Sequence, residues 1–211
     1  MQKPWDVDQS WAVITAWLGE HCPQSLSSFQ GPATEEEIRA VEATVGRPIP
    51  ADQRAWWRLS NGTGRMSNHL VSVIPLVYSP ASTGFVLARH EGLVGLNRHN
   101  PDAAPVPQWN AEPAGSPFVG IGVWLPPWVP IAHSGGGDYL FVDLRPGPLY
   151  GCVGERHKVQ DGFDGPIWPS VTAMLSDVAH GMAHGSEVCG QQATADDGYL
   201  HWVDPPGENP W

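Results

Sequence analysis

Apolar residues recur at helical spacing in several stretches of this chain. Val7, Trp11, Ile14 and Leu18 fall on one face, with Gly19 and Pro23 behind them, which predicts a first helix over Asp8 to Leu18. Thr34 and Glu37 have the spacing of a capping box, and Glu35 to Glu37 suit the positive end of a helix dipole. Ile38, Val41 and Val45 supply that second helix with a buried stripe, Gly46 ends it and Pro48 prevents its continuation. Asp52 is positioned to cap a third helix, in which Trp56 and Leu59 share a face and Asn61-Gly62 forms a left-handed stop. The adjacent Trp56 and Trp57 point about 100° apart on a helix, so one is expected in the core and the other partly exposed. Leu70 to Tyr78 is short and β-branched and reads as a strand, which Pro75 pushes toward an edge or a bulge. Ser82 to Leu96 has the apolar spacing of a helix at Phe85, Leu87 and Leu93, against which stand the glycines at 84, 92 and 95.

From Asn97 to Pro127 the pattern gives way to Pro, Gly and Ala, an excursion with Trp109, Phe118 and Trp124 as anchors onto the body. Periodicity returns at Trp128 to Glu155, which reads as a three-stranded antiparallel meander. Leu140, Val142 and Leu144 alternate with Tyr139, Phe141 and Asp143, so the aliphatic face is expected inward, with Phe141 less important to stability and Asp143 on the solvent side. Ser134 to Gly137 and Pro146-Gly147 supply the two turns. Pro130 requires a bulge or an edge position in the preceding strand. After a loop at DGFDGP, Val171, Met174, Leu175, Val178 and Met182 stripe a helix that starts near Pro169-Ser170 and ends at Gly185. Gly198 to Val203 is a candidate added strand, followed by a Pro-rich end of the kind expected to be mobile. Residues 1–185 are thus read as a single domain and 186–211 as a C-terminal extension.

Composition narrows the function. Hydrophobic residues make up 41% of the 211 and include eleven Trp, as in a folded globule. The net charge of -11 is concentrated at the end, where residues 159–211 carry acids but no Lys or Arg. Such a surface repels phosphate backbones and anionic lipids and attracts basic proteins, so nucleic acid and membrane are not expected partners. With no apolar leader and no long apolar run, the chain is expected to be cytoplasmic. Cys22, Cys152 and Cys189 have neither disulfide nor zinc spacing.

Two blocks carry a resemblance. One is ATEEEIRAVEATVGRPIPADQRAWWRLSNG at Ala33 to Gly62. The other comprises WVPIA, a Gly-rich turn closed by Gly137-Asp138, LFVDL, a Pro-Gly turn and Gly151 to Val153. Together they resemble the SUKH superfamily, which includes fungal cell-wall-assembly regulators and bacterial immunity proteins. The resemblance implies an α+β fold, a twisted and mainly antiparallel sheet flanked by helices. It also implies a non-catalytic protein-binding module without a cofactor, in first place an immunity protein neutralising a toxin, with a regulatory scaffold as the alternative. Candidate partner-binding residues are Trp56, Trp57, Asp161 and Asp164, and the expected partner is a basic toxin domain.

Other chemistry is weaker. HSGGGD suggests a small hydrolase built on His133 and Ser134, but a nucleophile elbow needs a glycine where Ala132 stands and a helix where a strand follows. His180 and His184 are spaced as a ligand pair, yet Gly181 replaces the glutamate of a zinc-protease motif, and no metal is expected. Asp138 and Asp143 are explained as turn and strand-end residues.

Overall fold

A computed structural model describes residues 3–64, 71–159 and 162–205. Helix α1, Val7–His21, opens with a capping box in which Asp6 accepts from the Gln9 amide, and it buries Val7, Trp11, Ile14 and Leu18. A short α2, Pro23–Leu26, follows. The capping box of α3, Glu35–Val45, forms as predicted, with left-handed Gly46 at its end. Helix α4, Ala51–Leu59, does not use Asp52 as its cap. Pro50 occupies that position, and Asp52 instead accepts from the Thr172 amide and hydroxyl at 3.0 and 3.3 Å, tying α4 to the start of the helix that Val171 opens.

The predicted strand before Tyr78 is not formed. Residues 71–73 are irregular, Ile74 and Tyr78 bridge across a turn at Pro75 to Val77, and the strand β1 is only Ser79–Pro80; Leu70 lies outside the described residues. Pro75 supplies no ladder donor there, and Leu76 and Val77 both have positive φ, 64° and 67°, which curls the chain back on itself. Helix α5, Thr83–Gly95, tolerates its glycines and buries Val86, His90 and Leu93, whereas Leu87 is exposed. The excursion contains two short 3-10 turns, α6 (Val106–Trp109) and β2 (Phe118–Val119).

The meander is β3 (Trp128–His133), β4 (Tyr139–Asp143) and β5 (Val153–Arg156). With β1 it makes an antiparallel sheet of order β1-β3-β4-β5, and β3 carries the bulge between Pro130 and Ala132. The loop expected at DGFDGP is partly a strand, since β6 (Gly162–Phe163) pairs with β2. Helix α7, Val171–His184, is capped by Ser170 and ends at left-handed Gly185. The C-terminal region forms a hairpin of β7 (Gln192–Asp196) and β8 (Tyr199–Val203), where one strand was expected, and residues 206–211 lie outside the described set.

Both faces of the sheet are covered. On one, Val129, Ile131, Leu140, Val142 and Val153 pack against α1, α3, α4 and α7. On the other, Trp124, Trp128, Phe141, Phe118 and Phe163 form an aromatic core beneath the excursion, with Trp128 stacked on Phe141 at 3.8 Å. The exposed second face expected from alternation is therefore corrected. Phe141 and Asp143 are both fully buried. Asp143 is neutralised by Arg145, also fully buried, at 2.7 Å, and Arg145 donates further to the Trp109 and Ser116 carbonyls, which clamps the excursion to the meander.

Candidate protein-docking surface

Three of the four predicted contact residues, Trp56, Trp57 and Asp164, are among the described residues. Trp56 and Trp57 are 3% and 1% exposed, so both are core and neither offers a ring to a partner. Their directions differ as expected, but α4 is covered on two sides: Trp56 meets Trp11 edge-on and the Trp57 indole donates to the Ala81 carbonyl at 3.2 Å. Asp164 is exposed, and Asp161 lies outside the described residues.

HSGGGD is the β3–β4 turn. The Ser134 hydroxyl donates to Asp138 at 3.1 Å and accepts from the Gly136 and Asp138 amides, while His133 stacks on Phe85 at 4.3 Å. A hydroxyl bonded to a carboxylate and two amides is a turn lock. His180 is likewise engaged, with Nδ1 2.7 Å from the Ser176 carbonyl and its ring stacked on Trp5 at 3.7 Å. No group of three or more His, Cys, Asp or Glu that could hold a metal occurs among the described residues. Burial pushes the Cys22 and Cys152 thiols up, as suits inert core residues.

A hollow of about 330 Å³ that the sequence did not suggest lies between Ser25 of α2, the loop at Val71, Ser72 and Val77, and Tyr199 to Trp202 of β8. Its size is in the range of ligand and side-chain pockets. The hairpin is fixed beside it by the Leu200 amide, which donates to Ser25 at 2.9 Å, and by Gln24, whose amide donates to the Gly198 carbonyl at 3.0 Å. Gln191 accepts from the Leu76 amide at 3.0 Å, which holds the turn. At its lip Val77 is 62% exposed in a left-handed conformation that β-branched residues rarely adopt. The Trp202 indole N–H is buried without a hydrogen-bond partner. Asp164, Asp177, Glu187, Asp196, Asp197 and Asp204 are all exposed on the same C-terminal part of the chain. The signal available in sequence was the alternation around Leu200, but where its other face would sit depends on α2.

The sequence model of the SMI1 / KNR4 family (SUKH-1) matches residues 32–177. The chain belongs to this family. F-box only protein 3 of Mus musculus is 30% identical to this chain over 89 residues, 37% of this chain and 18% of that protein. The Homo sapiens protein matches equally over 89 residues, 19% of its length. The stretch shared with these relatives is thus under a fifth of their length. The SUKH-1 match begins before α3 and stops inside α7, so Ser25 and Tyr199 to Trp202, two of the hollow's three walls, come from flanks outside it. No helix among the described residues is long and apolar enough to cross a membrane.

Proposed function

We propose that this SUKH-1 protein is a non-catalytic protein-binding module, and specifically an immunity protein that neutralises a basic toxin domain by holding it. The observation that carries this reading is the hollow, apolar at Val77 and Leu200, whose β8 wall belongs to the part of the chain after Lys158, which has no Lys or Arg and whose described acids are all exposed. A basic partner is drawn to such a surface, and an apolar anchor seated in the hollow supplies the slow dissociation. Walls drawn from the flanks suit a family whose members each meet their own partner. A second reading, a regulatory scaffold, is supported by the segment shared with F-box only protein 3.

The test is titration of the purified chain into the toxin domain encoded by an adjacent gene, with toxin activity and calorimetric binding read together. Inhibition at a fixed stoichiometry, weakened by Val77→Asp or Trp202→Ala by about 2 kcal/mol or more as at other hot spots, is the expected result. Undiminished toxin activity at saturating protein would overturn the immunity reading. Ester or peptide turnover lost in Ser134→Ala would overturn the non-catalytic one.

A further inference from the structure

Among the described residues, β8 pairs with β7 alone, in an unbroken register from Asp196 opposite Tyr199 to Gln192 opposite Val203. The Leu200 amide points away from β7, since it donates to the Ser25 hydroxyl at 2.9 Å. The His201 carbonyl points toward β7, where the Thr194 hydroxyl donates to it at 3.3 Å. Main-chain directions alternate along an antiparallel pair, so the N–H and C=O of Trp202 share the direction of Leu200. No described residue forms a backbone hydrogen bond with them.

The hollow of about 330 Å³ touches four successive residues of this strand, Tyr199 to Trp202, with Ser25, Val71, Ser72 and Val77 across from them. Successive strand residues face opposite ways, so a cavity that meets all four runs along the strand's edge and not beneath one face. Soluble proteins commonly blunt an open edge with Pro, Lys or a bulge. Tyr199 to Val203 has none of these.

Charge selects the occupant. Leu200 is buried on the inner face, while Tyr199, His201 and Val203 take the outer one, where Asp196 stands opposite Tyr199. Asp197 and Asp204 are exposed at the two ends of the strand. A second copy would bring the same acids to the contact and be repelled, whereas a basic segment meets opposite charge.

We propose that the partner docks by strand addition: an extended segment, apolar and basic at alternate positions, lies along β8, bonds the Trp202 N–H and C=O, and seats an apolar side chain in the hollow. Main-chain bonds then give affinity and the hollow gives specificity. The proposal rests on the reading of the hollow as the docking site for a basic toxin domain.

The experiment titrates the ¹⁵N-labelled protein with a short capped peptide of alternating Lys and Val, and separately with the toxin domain encoded by the adjacent gene. The peptide should give a saturable shift at Trp202 and slow exchange of its amide roughly tenfold, about the worth of one hydrogen bond. The His201 amide, directed at β7, should change far less. The same peptide N-methylated along its backbone should lose the response, and a Glu-for-Lys peptide should bind more weakly. No shift with the peptide, or an equal response to its N-methylated form, would overturn strand addition. Protection of Trp202 that rises with protein concentration alone would overturn the basic occupant in favour of a second copy. Toxin binding with Trp202 exchange unchanged would overturn the docking mode and leave the toxin-binding reading standing; a toxin domain that fails to bind where the peptide succeeds would overturn that reading alone.

Discussion

Phe141 and Val142 sit side by side on β4, fully buried in two different cores. Truncating Val142 to Ala should cost about 2 kcal/mol, and Phe141→Ala about 3 to 5 kcal/mol, because it opens a larger cavity in a stack shared with Trp128 and Trp124. Denaturant midpoints of the two variants check the order. Alternation alone predicts the reverse order, since it assigns Phe141 to solvent. The pair Asp143 and Arg145 behaves differently from a surface ion pair. Removing one partner leaves the other charged and buried, so Asp143→Asn should cost about 3 to 5 kcal/mol. It should also loosen the excursion, because the Gly115 amide donates to Asp143 at 3.0 Å. Hydrogen exchange at residues 109–116 would show the loosening, and unchanged protection there would argue against the clamp.

Helices α3 and α4 are joined by charge as well as by apolar contact. Arg54 reaches both Glu35 and Glu42, and Arg58 reaches Glu35. Burial alone would raise the Glu42 carboxyl, but the Ile49 amide and Arg54 together hold it below the usual carboxylate range. The hydrogen bond from Arg58 lowers Glu35 in the same direction. The unfolded chain therefore binds protons that the folded one refuses between the ordinary value, about 4.3 for Glu, and the lower folded value. The contribution is present in full above that ordinary value and is lost as pH falls through the folded one. The urea midpoint should fall on acidification, and less steeply in Glu42→Gln than in the wild type; parallel curves would assign the acid sensitivity to other groups. The α3 capping box is independent of this network at its N-terminal end, and Thr34→Ala should cost about 1 kcal/mol.

At the scale of the whole molecule, charge is distributed unevenly, with no Lys or Arg beyond Lys158. If a basic partner is captured by this field, its association rate should rise roughly 10 to 1000-fold at low salt and fade as the Debye length contracts to about 3 Å at 1 M. Dissociation should change far less if a partner's anchor is seated in the hollow rather than at its charged rim. Stopped-flow association over a salt series makes the measurement, and an on-rate indifferent to salt would reduce the acidic surface to a solubility device. The hairpin matters here as well: Leu200 and Val188 belong to the main core, so removing 186–205 should lower the melting temperature while it removes a wall of the hollow.

Elements whose signals are local can be read from the order of residues alone. Thr34 with Glu37, Ser170, Gly46 and Gly185 set helix ends through hydrogen bonds within a turn or a left-handed residue, and the structure places those ends where the residues do. The meander was legible for the same reason, since a period of two and glycine turns need only neighbours along the chain. Tertiary structure decided which faces are covered. Alternation distinguishes two sides of β4 but cannot show that the Pro-rich excursion folds over the second one, so Phe141 and Asp143 were misplaced. Likewise, a tryptophan pair 100° apart shows two directions and not what lies in each, and Trp57 turned out to lie against Ala81. The hollow was hidden for a stronger reason: its walls come from residues near 25, 71–77 and 199–202, and no local pattern records that α2 and β8 meet. Burial and docking are sums over segments distant in sequence, and only their packing assigns them.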